Sequence, residues 1–324
     1  MRWHIGEQAA KDITVAIDPG RRRVFLPGPE EHVEPDVIWW RRGLSVNPPI
    51  SAPEVDRALA AQEWLPFLVG VEQILGNAWH VNSLEARRRA NAKAFQLAVA
   101  DACGLRIPRT IFTNDAARAR AFIALGESSN GTVAKLLAQS LVQDARGATY
   151  AGRTRRVYRQ QVPNAEAMRR VPVILQERLE KAYELRVAIF GRSVFAVRID
   201  ANHLQDWRSE PDPRDLRLTP WSLPPLIAER CFHLMDRLGI VSGSFDFIVT
   251  RDGEPFFLEV NEQGQFLWLE GLCPELPLLD AFCAFLVSGE RHFVWKAAGA
   301  SVRLHDVERS ETYRTAPAND RGSA

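Results

Sequence analysis

The sequence predicts an α/β protein in which antiparallel hairpins are interleaved with helices. Three observations carry this. Residues 240–270, IVSGSFDFIVTRDGEPFFLEVNEQGQFLWLE, read as two strands joined at Asp252-Gly253, a dipeptide suited to tight primed turns. Residues 184–200 alternate apolar and polar side chains on both sides of Gly191-Arg192-Ser193, which marks a second hairpin. Around these stand segments of helical pattern at 55–75, 84–103 and 224–238, the last two stopped by Gly104 and Gly239.

Taken from the N-terminus, residues 1–50 are rich in proline and arginine, with short β-like pieces at 13–17, 23–26 and 37–40. The 55–75 helix offers Leu59, Trp64, Leu65 and Leu68 for a buried stripe. Residues 79–83 approach the next helix in extended form. Ser83 is its expected N-cap, and it runs through Asn91, Lys93, Leu97 and Val99. Residues 105–110 read as a strand, and Thr113-Asn114-Asp115 as the cap of a helix ending before Gly126. Asn130-Gly131 turn the chain into strand 132–137, where Lys135 lies in an apolar run; a buried ammonium needs a partner. Residues 138–160 carry Arg146, Arg153, Arg155, Arg156 and Arg159 with little apolar content and read as a loop, followed by strand 173–179.

In the 184–200 hairpin a two-residue turn sets apolar against polar. A three-residue loop gathers Leu185, Val187, Ile189, Phe195, Val197 and Ile199 on one face, and a buried face favours that register. Glu184, Arg186, Arg198 and Asp200 are then expected on the other face, as a functional quartet or an exposed salt-bridge ladder. In the 240–270 hairpin, symmetric pairing sets Asp246 opposite Glu259 and Ser244 opposite Asn261, with Phe256, Leu258 and Val260 on the far face. Opposed Cβ atoms lie about 4.5–5.5 Å apart, so like charges there repel. Two carboxylates and an amide oxygen on one face suit a hard cation. Mg²⁺ is such a cation, held by one or two carboxylates while phosphates and waters complete its shell. Residues 276–287 form a last apolar helix, and the polar stretch from Ala297 is expected to end in disorder over 312–324.

A chain of 324 residues with 46% hydrophobic and 25% charged content is ordinary globular material, about two domains long. With 41 basic and 40 acidic residues, no global field recruits nucleic acid or a membrane. Cys103, Cys231, Cys273 and Cys283 form no C-x-x-C pair, as expected of reduced thiols in a cytoplasmic protein. The start, MRWHIGEQAAKD, has no apolar signal core, so the chain is expected to be neither exported nor inserted. No G-x-S-x-G elbow, H-E-x-x-H or zinc spacing is present.

Several of these stretches carry a resemblance. Asp246-Phe247-Ile248-Val249, Leu258-Glu259-Val260-Asn261 and Gly264-Gln265-Phe266-Leu267-Trp268-Leu269-Glu270 resemble the metal-binding end of ATP-grasp ligases. The subgroup they resemble most is the microviridin-type graspetide ligases, which macrocyclise ribosomal peptides. PDVIWWRR at 35–42, the block NSLEARRRANAKAFQLAVADACGLRIPRTIFTND at 82–115 and Tyr183-Glu184-Leu185-Arg186 are similar to that subgroup too. The resemblance spans about residues 35–294. It implies an ATP-grasp fold, two α+β subdomains clasping MgATP, behind a shortened N-terminal α/β domain that PDVIWWRR would close. The domains are expected at 1–82 and 83–296, with a polar tail at 297–324. Too little chain precedes 35–42 for a full strand–helix–strand unit, so either that domain is reduced or the chain starts late.

The resemblance also implies roles. Asp246, Glu259 and Asn261 would bind the Mg²⁺ of MgATP. Lys135 would reach the nucleotide phosphates. Lys93 matches a recurrent lysine, although a solvated helix lysine would look the same. Gln176, Glu177 and Leu179 would meet adenine through backbone, and Glu184 would hold the ribose hydroxyls. Arg186 and Arg198 would neutralise the transferring phosphate and the acyl phosphate. Residues 138–160 would fold over the triphosphate, and Asp206-Trp207-Arg208 resembles an element near the acceptor. The usual Asn-Pro-Asn-Gly-Gln-Trp stands here as Asn261-Glu262-Gln263-Gly264-Gln265-Phe266, keeping the ligand and changing its neighbours.

The implied activity is ligation. ATP phosphorylates a carboxylate, and a hydroxyl or amine displaces phosphate from the acyl phosphate to give an ester or amide. The implied partner is a ribosomal precursor peptide with a leader and a core whose Asp/Glu join Ser, Thr or Lys; a homodimer is compatible. Two alternatives stay open. One is a ligase adding a free amino acid or amine to a carboxylate. The other is a nucleotide-binding subunit whose catalysis has lapsed, suggested by the short N-terminus and the altered motif.

Overall fold

The computed structural model describes residues 13–25, 34–41, 53–137, 141–143, 149–151, 154–201, 204, 207, 210, 212, 215–297 and 302–310. Two antiparallel sheets dominate. The larger has five strands in the order Arg217–Trp221, Ser193–Asp200, Lys181–Phe190, Ser242–Thr250, Pro255–Asn261. The smaller has four, in the order Thr110–Thr113, Val173–Glu177, Thr132–Lys135, Arg155–Val157. Residues 178–180 join the second strand of the smaller sheet to the central strand of the larger.

The five-stranded sheet is buried on both faces. On one face Leu185, Val187, Phe245, Phe247, Phe257 and Val260 pack beneath helices Lys93–Ala102 and Pro225–Leu238. On the other, Ala188, Phe190, Val197 and Ile199 meet Phe266, Leu269 and helix Leu278–Ser288 with its Phe282 and Phe285. In the smaller sheet Leu175 packs with Ile123 of helix Ala116–Glu127 and Met168 of helix Ala165–Arg170.

Local signals hold where the chemistry is local. Ser83 accepts from the Ala86 N–H, Asp115 accepts from those of Ala117 and Arg118, and Gly239 closes its helix at φ +80°. Other expectations change. The 84–103 helix is two, Leu84–Asn91 and Lys93–Ala102, broken at Ala92, whose ψ is 82°. The Gln96 amide accommodates the break by donating to the freed Ala90 carbonyl at 2.6 Å. The strand expected at 105–110 starts only at Thr110, because Pro108 has no N–H for a ladder. The first long helix, Glu54–Ile74, buries Leu68 but leaves Leu59 and Leu65 half exposed. It packs through its C-terminal turns, where Val71 and Ile74 meet Val24 of the small hairpin Thr14–Asp18/Arg21–Phe25.

Val37–Trp39 pairs in parallel with Trp79–Val81 across that helix as a short strand–helix–strand unit. The 138–160 loop contains a hairpin, Leu141–Gln143 with Thr149–Ala151, and the sheet strand at 155–157. Arg146, Arg153, Asp206 and Arg208 lie outside the described residues. Within the expected polar tail, Leu304–Arg309 is a helix tied down by Glu270, which accepts from the Leu304 N–H and from Arg303. Among the described residues no helix is long and apolar enough to cross a membrane.

Candidate functional site

The site grows from the 242–261 hairpin. Near the turn Val249 pairs with Pro255 and Phe247 with Phe257; the register then shifts by one residue, at Leu258, and resumes as Asp246–Glu259, Phe245–Val260 and Ser244–Asn261. The polar pairs fall where the sequence set them. The bulge, however, brings Phe257 and Val260, and not Phe256 and Leu258, into one buried layer. A bulge beside a polar cluster re-aims side chains that strict alternation would fix.

Positive groups meet both carboxylates. Arg186, opposite Asp246 on the neighbouring strand, donates through Nη1 to both of its oxygens at 2.6 and 2.7 Å. These side chains are only 7% and 10% exposed. Lys93, the first residue of its helix, reaches Glu259 Oε2 at 2.9 Å. Asn261 Nδ2 donates to Asp246 Oδ2 at 3.3 Å and Glu259 Oε1 at 3.4 Å, bridging the two carboxylates. The Lys93 helix is clamped to this strand by Gln96, whose amide exchanges two 2.9 Å hydrogen bonds with the Val260 backbone. By alternation Glu184 shares the face of Arg186, where it pairs with Lys181.

Among the described residues no three His, Cys, Asp or Glu converge as metal ligands. Two facing carboxylates and an amide within hydrogen-bond reach of both form a hard donor set. That set fits Mg²⁺, which takes its remaining ligands from phosphate and water.

Arg198 does not join this face. The 181–200 hairpin closes with a two-residue turn, Phe190 pairing with Ser193, so Arg186 opposes Val197 and Leu185 opposes Arg198. Arg186 and Arg198 therefore lie on opposite faces, and the quartet expected from a three-residue loop is not formed. Arg198 instead bonds Asp200 Oδ1 at 2.7 and 2.8 Å and lies 4.1 Å above the Tyr183 ring. The quartet fails because both faces of the sheet are buried, so there is no single apolar face to set the register.

A second constellation sits on the smaller sheet. Lys135 donates to Gln176 Oε1 at 2.7 Å, and Gln176 Nε2 donates to Thr110 Oγ1 at 2.9 Å. Lys135 thus has a side-chain partner as well as its place beside the expected nucleotide positions. Glu177 accepts from the Arg109 N–H and Nε at 3.0 and 2.8 Å, and Leu179 lies in the link between the sheets.

No protein-family model matches the sequence, and no curated protein matches it. Solved structures do. The chain is similar to macrocyclase MdnC of Microcystis aeruginosa, solved with precursor peptide MdnA, at 27% identity and a TM-score of 0.75, covering 86% of this chain and 88% of that one. It is similar to a RiPP-associated ATP-grasp ligase of Chryseobacterium gregarium, solved with ADP and a leader and core peptide, at 25% identity and a TM-score of 0.77, covering 90% and 89%. The chain folds as an ATP-grasp protein. The ATP-grasp ligase PsnB, solved with a phosphomimetic precursor variant, Mg and ADP, shares that fold at 22% identity and a TM-score of 0.65, covering 86% of each chain.

Three supports of this ATP-grasp site escape a reading of local patterns. Asn82, buried, donates to the Ser242 and Glu262 carbonyls at 2.9 Å and accepts from the Val241 and Ser242 N–H groups. Glu262, where the usual motif has proline, is buried against Arg87 at 3.3 Å and Asn91 at 2.9 Å, so the altered motif anchors the end of strand Pro255–Asn261 to helix Leu84–Asn91. Glu72 accepts from Trp40 Nε1 and from the Leu84 N–H at that helix's start. Burial pushes its carboxyl up, but these hydrogen bonds and His80 together outweigh burial and hold it below the usual 4.5. The signal for Glu262 was its departure from the motif; Asn82 and Glu72 gave none.

Proposed function

We propose that the protein is an ATP-dependent carboxylate ligase. It would join Asp or Glu side chains of a ribosomal precursor peptide to its Ser, Thr or Lys through an acyl phosphate, giving ester or amide bonds. The observation that carries this reading is the match, along nearly the whole chain, to peptide-bound ligases of at least 25% identity. The facing pair Asp246–Glu259 with Asn261 supports it, because it offers the metal that MgATP requires an oxygen site beside a buried arginine.

In this reading Asp246, Glu259 and Asn261 hold Mg²⁺, which when bound offsets the charge of the triphosphate and of the acyl phosphate. Arg186 fixes the orientation of Asp246 and contributes positive charge on the same face. Gln176 orients Lys135 toward the nucleotide, whose adenine meets the backbone at 176–179, and Glu184 holds the ribose. Arg198 acts as a structural residue of the opposite face. The chain's own groups position reactants and stabilise charge; no protein nucleophile takes part.

Incubation with MgATP and a precursor peptide carrying a leader and a core of Asp/Glu with Ser, Thr or Lys, read by mass spectrometry, should show one water lost per bond formed, with ADP accumulating. Glu259→Gln should lose both signals, since a neutral amide cannot replace an anionic ligand. No mass loss and no ADP with the native protein would overturn the proposal.

A further inference from the structure

We propose that Lys93 is an internal stand-in for the metal: its ammonium neutralises Glu259 until a divalent cation arrives, and metal and nucleotide therefore bind synergistically. This rests on the ligase reading above and concerns the same site.

Three observations lead to it. Lys93 Nζ lies 2.9 Å from Glu259 Oε2, so this carboxylate already carries a positive partner. Asn261 Nδ2 donates to both carboxylates, so an amide N–H meets the oxygens that the ammonium does not. A cation held by both Glu259 oxygens and the amide oxygen takes the positions on them that Lys93 and the Asn261 amide nitrogen occupy. Finally, Lys93 stands in the first turn of its helix, where the positive end of the helix dipole disfavours a cation. Its place there answers to Glu259 and not to the helix.

The two cations of the site differ in freedom. Arg186 is planted on a central strand, 7% exposed and bonded to both Asp246 oxygens. Lys93 is 21% exposed on a flexible four-carbon stem, while Gln96 clamps its helix to the strand. The side chain can swing; the backbone stays. A displaced ammonium needs an anion, and the phosphates that arrive with the metal supply one. The metal alone must break the Lys93–Glu259 pair without that compensation. The metal with its nucleotide exchanges one pair for another.

The test is Mn²⁺ binding, measured by the loss of the free Mn²⁺ EPR signal with and without a non-hydrolysable ATP analogue, each titration set against a protein-free control that accounts for Mn²⁺ held by the analogue itself. The native protein should bind Mn²⁺ more tightly when the analogue is present. Lys93→Met should raise Mn²⁺ affinity in the absence of analogue by about tenfold, the equivalent of ~1.4 kcal/mol, and leave little further gain when analogue is added. Lys93→Arg, which keeps the charge, should retain the synergy. Unchanged affinity in Lys93→Met without analogue would overturn the proposal. An equal rise with and without analogue would do so too, because it would reflect only the change in local charge. If neither native nor variant protein holds Mn²⁺ under any condition, the ligase reading falls as well.

Discussion

The two hairpins of the five-stranded sheet, 181–200 and 242–261, are of similar length and similarly alternating, yet their registers obey different rules. In the second, one face is polar, with Ser244, Asp246, Glu259 and Asn261, and the other is aromatic, with Phe245, Phe247 and Phe257. A slip of one residue would drive two carboxylates under the helices, so the pattern fixes the pairing at the site even though a bulge intervenes. In the first, both faces carry large apolar side chains as well as a charged pair, and both are covered. A slip there exchanges one greasy face for another, and the turn decides. Gly191, at φ +60°, and Arg192 form a two-residue loop pinned by Phe293, whose carbonyl accepts from the Arg192 N–H at 2.7 Å. Alternation specifies register only where the two faces differ.

Substitutions that separate the two hairpins test this contrast. The largest effect is expected from Arg186→Met, which leaves Asp246 buried without its strongest partner; a loss of about 3–5 kcal/mol should appear as a lower urea midpoint. A change within about 0.5 kcal/mol would mean that the pair is not buried as described. Next come the turns. A Cβ at Gly191 would meet the Phe293 backbone at 2.7 Å, whereas at Gly253, φ +83°, it would meet nothing within 4 Å. Gly253→Ala should therefore cost about 1 kcal/mol for its positive φ alone, and Gly191→Ala about 2–4 kcal/mol through strain plus overpacking. Equal losses in thermal melts would remove the Phe293 clamp as the reason for the turn.

Arg198→Met should cost less, about 0.5–1 kcal/mol, from the Tyr183 ring contact and a part-exposed pair with Asp200. Because Arg198 and Arg186 face apart, their effects should add in the double variant. A coupling above about 1 kcal/mol would put them back on one face. The smallest effect lies outside both hairpins. The depressed carboxyl of Glu72 contributes stability that is full above its usual 4.5 and is lost as the pH falls through its lower folded value. Glu72→Gln should flatten that acid limb of the melting temperature, while the two glycine variants, which alter no charge, shift the curve without changing its slope there.

What the sequence determined by itself were the features set by neighbours in the chain or by a contrast between faces. Ser83 and Asp115 cap helices because a side-chain oxygen lies within reach of N–H groups two or three residues on. Asp246 faces Glu259 because Phe245, Phe247 and Phe257 take the opposite face, beneath the helices. The tertiary structure alone decided the rest. Lys93 meets Glu259 across 166 positions, Asn82 meets Ser242 across 160, and Gln176 ties Lys135 to Thr110 across two strand pairings. It also separated Arg186 from Arg198, which a reading of alternation had joined. The physical reason is one of range. Caps and alternation are governed by bonds and torsions within a few residues. The partner of a buried charge depends on which distant segment the packed core brings beside it, and a sheet covered on both faces leaves no local trace of that choice.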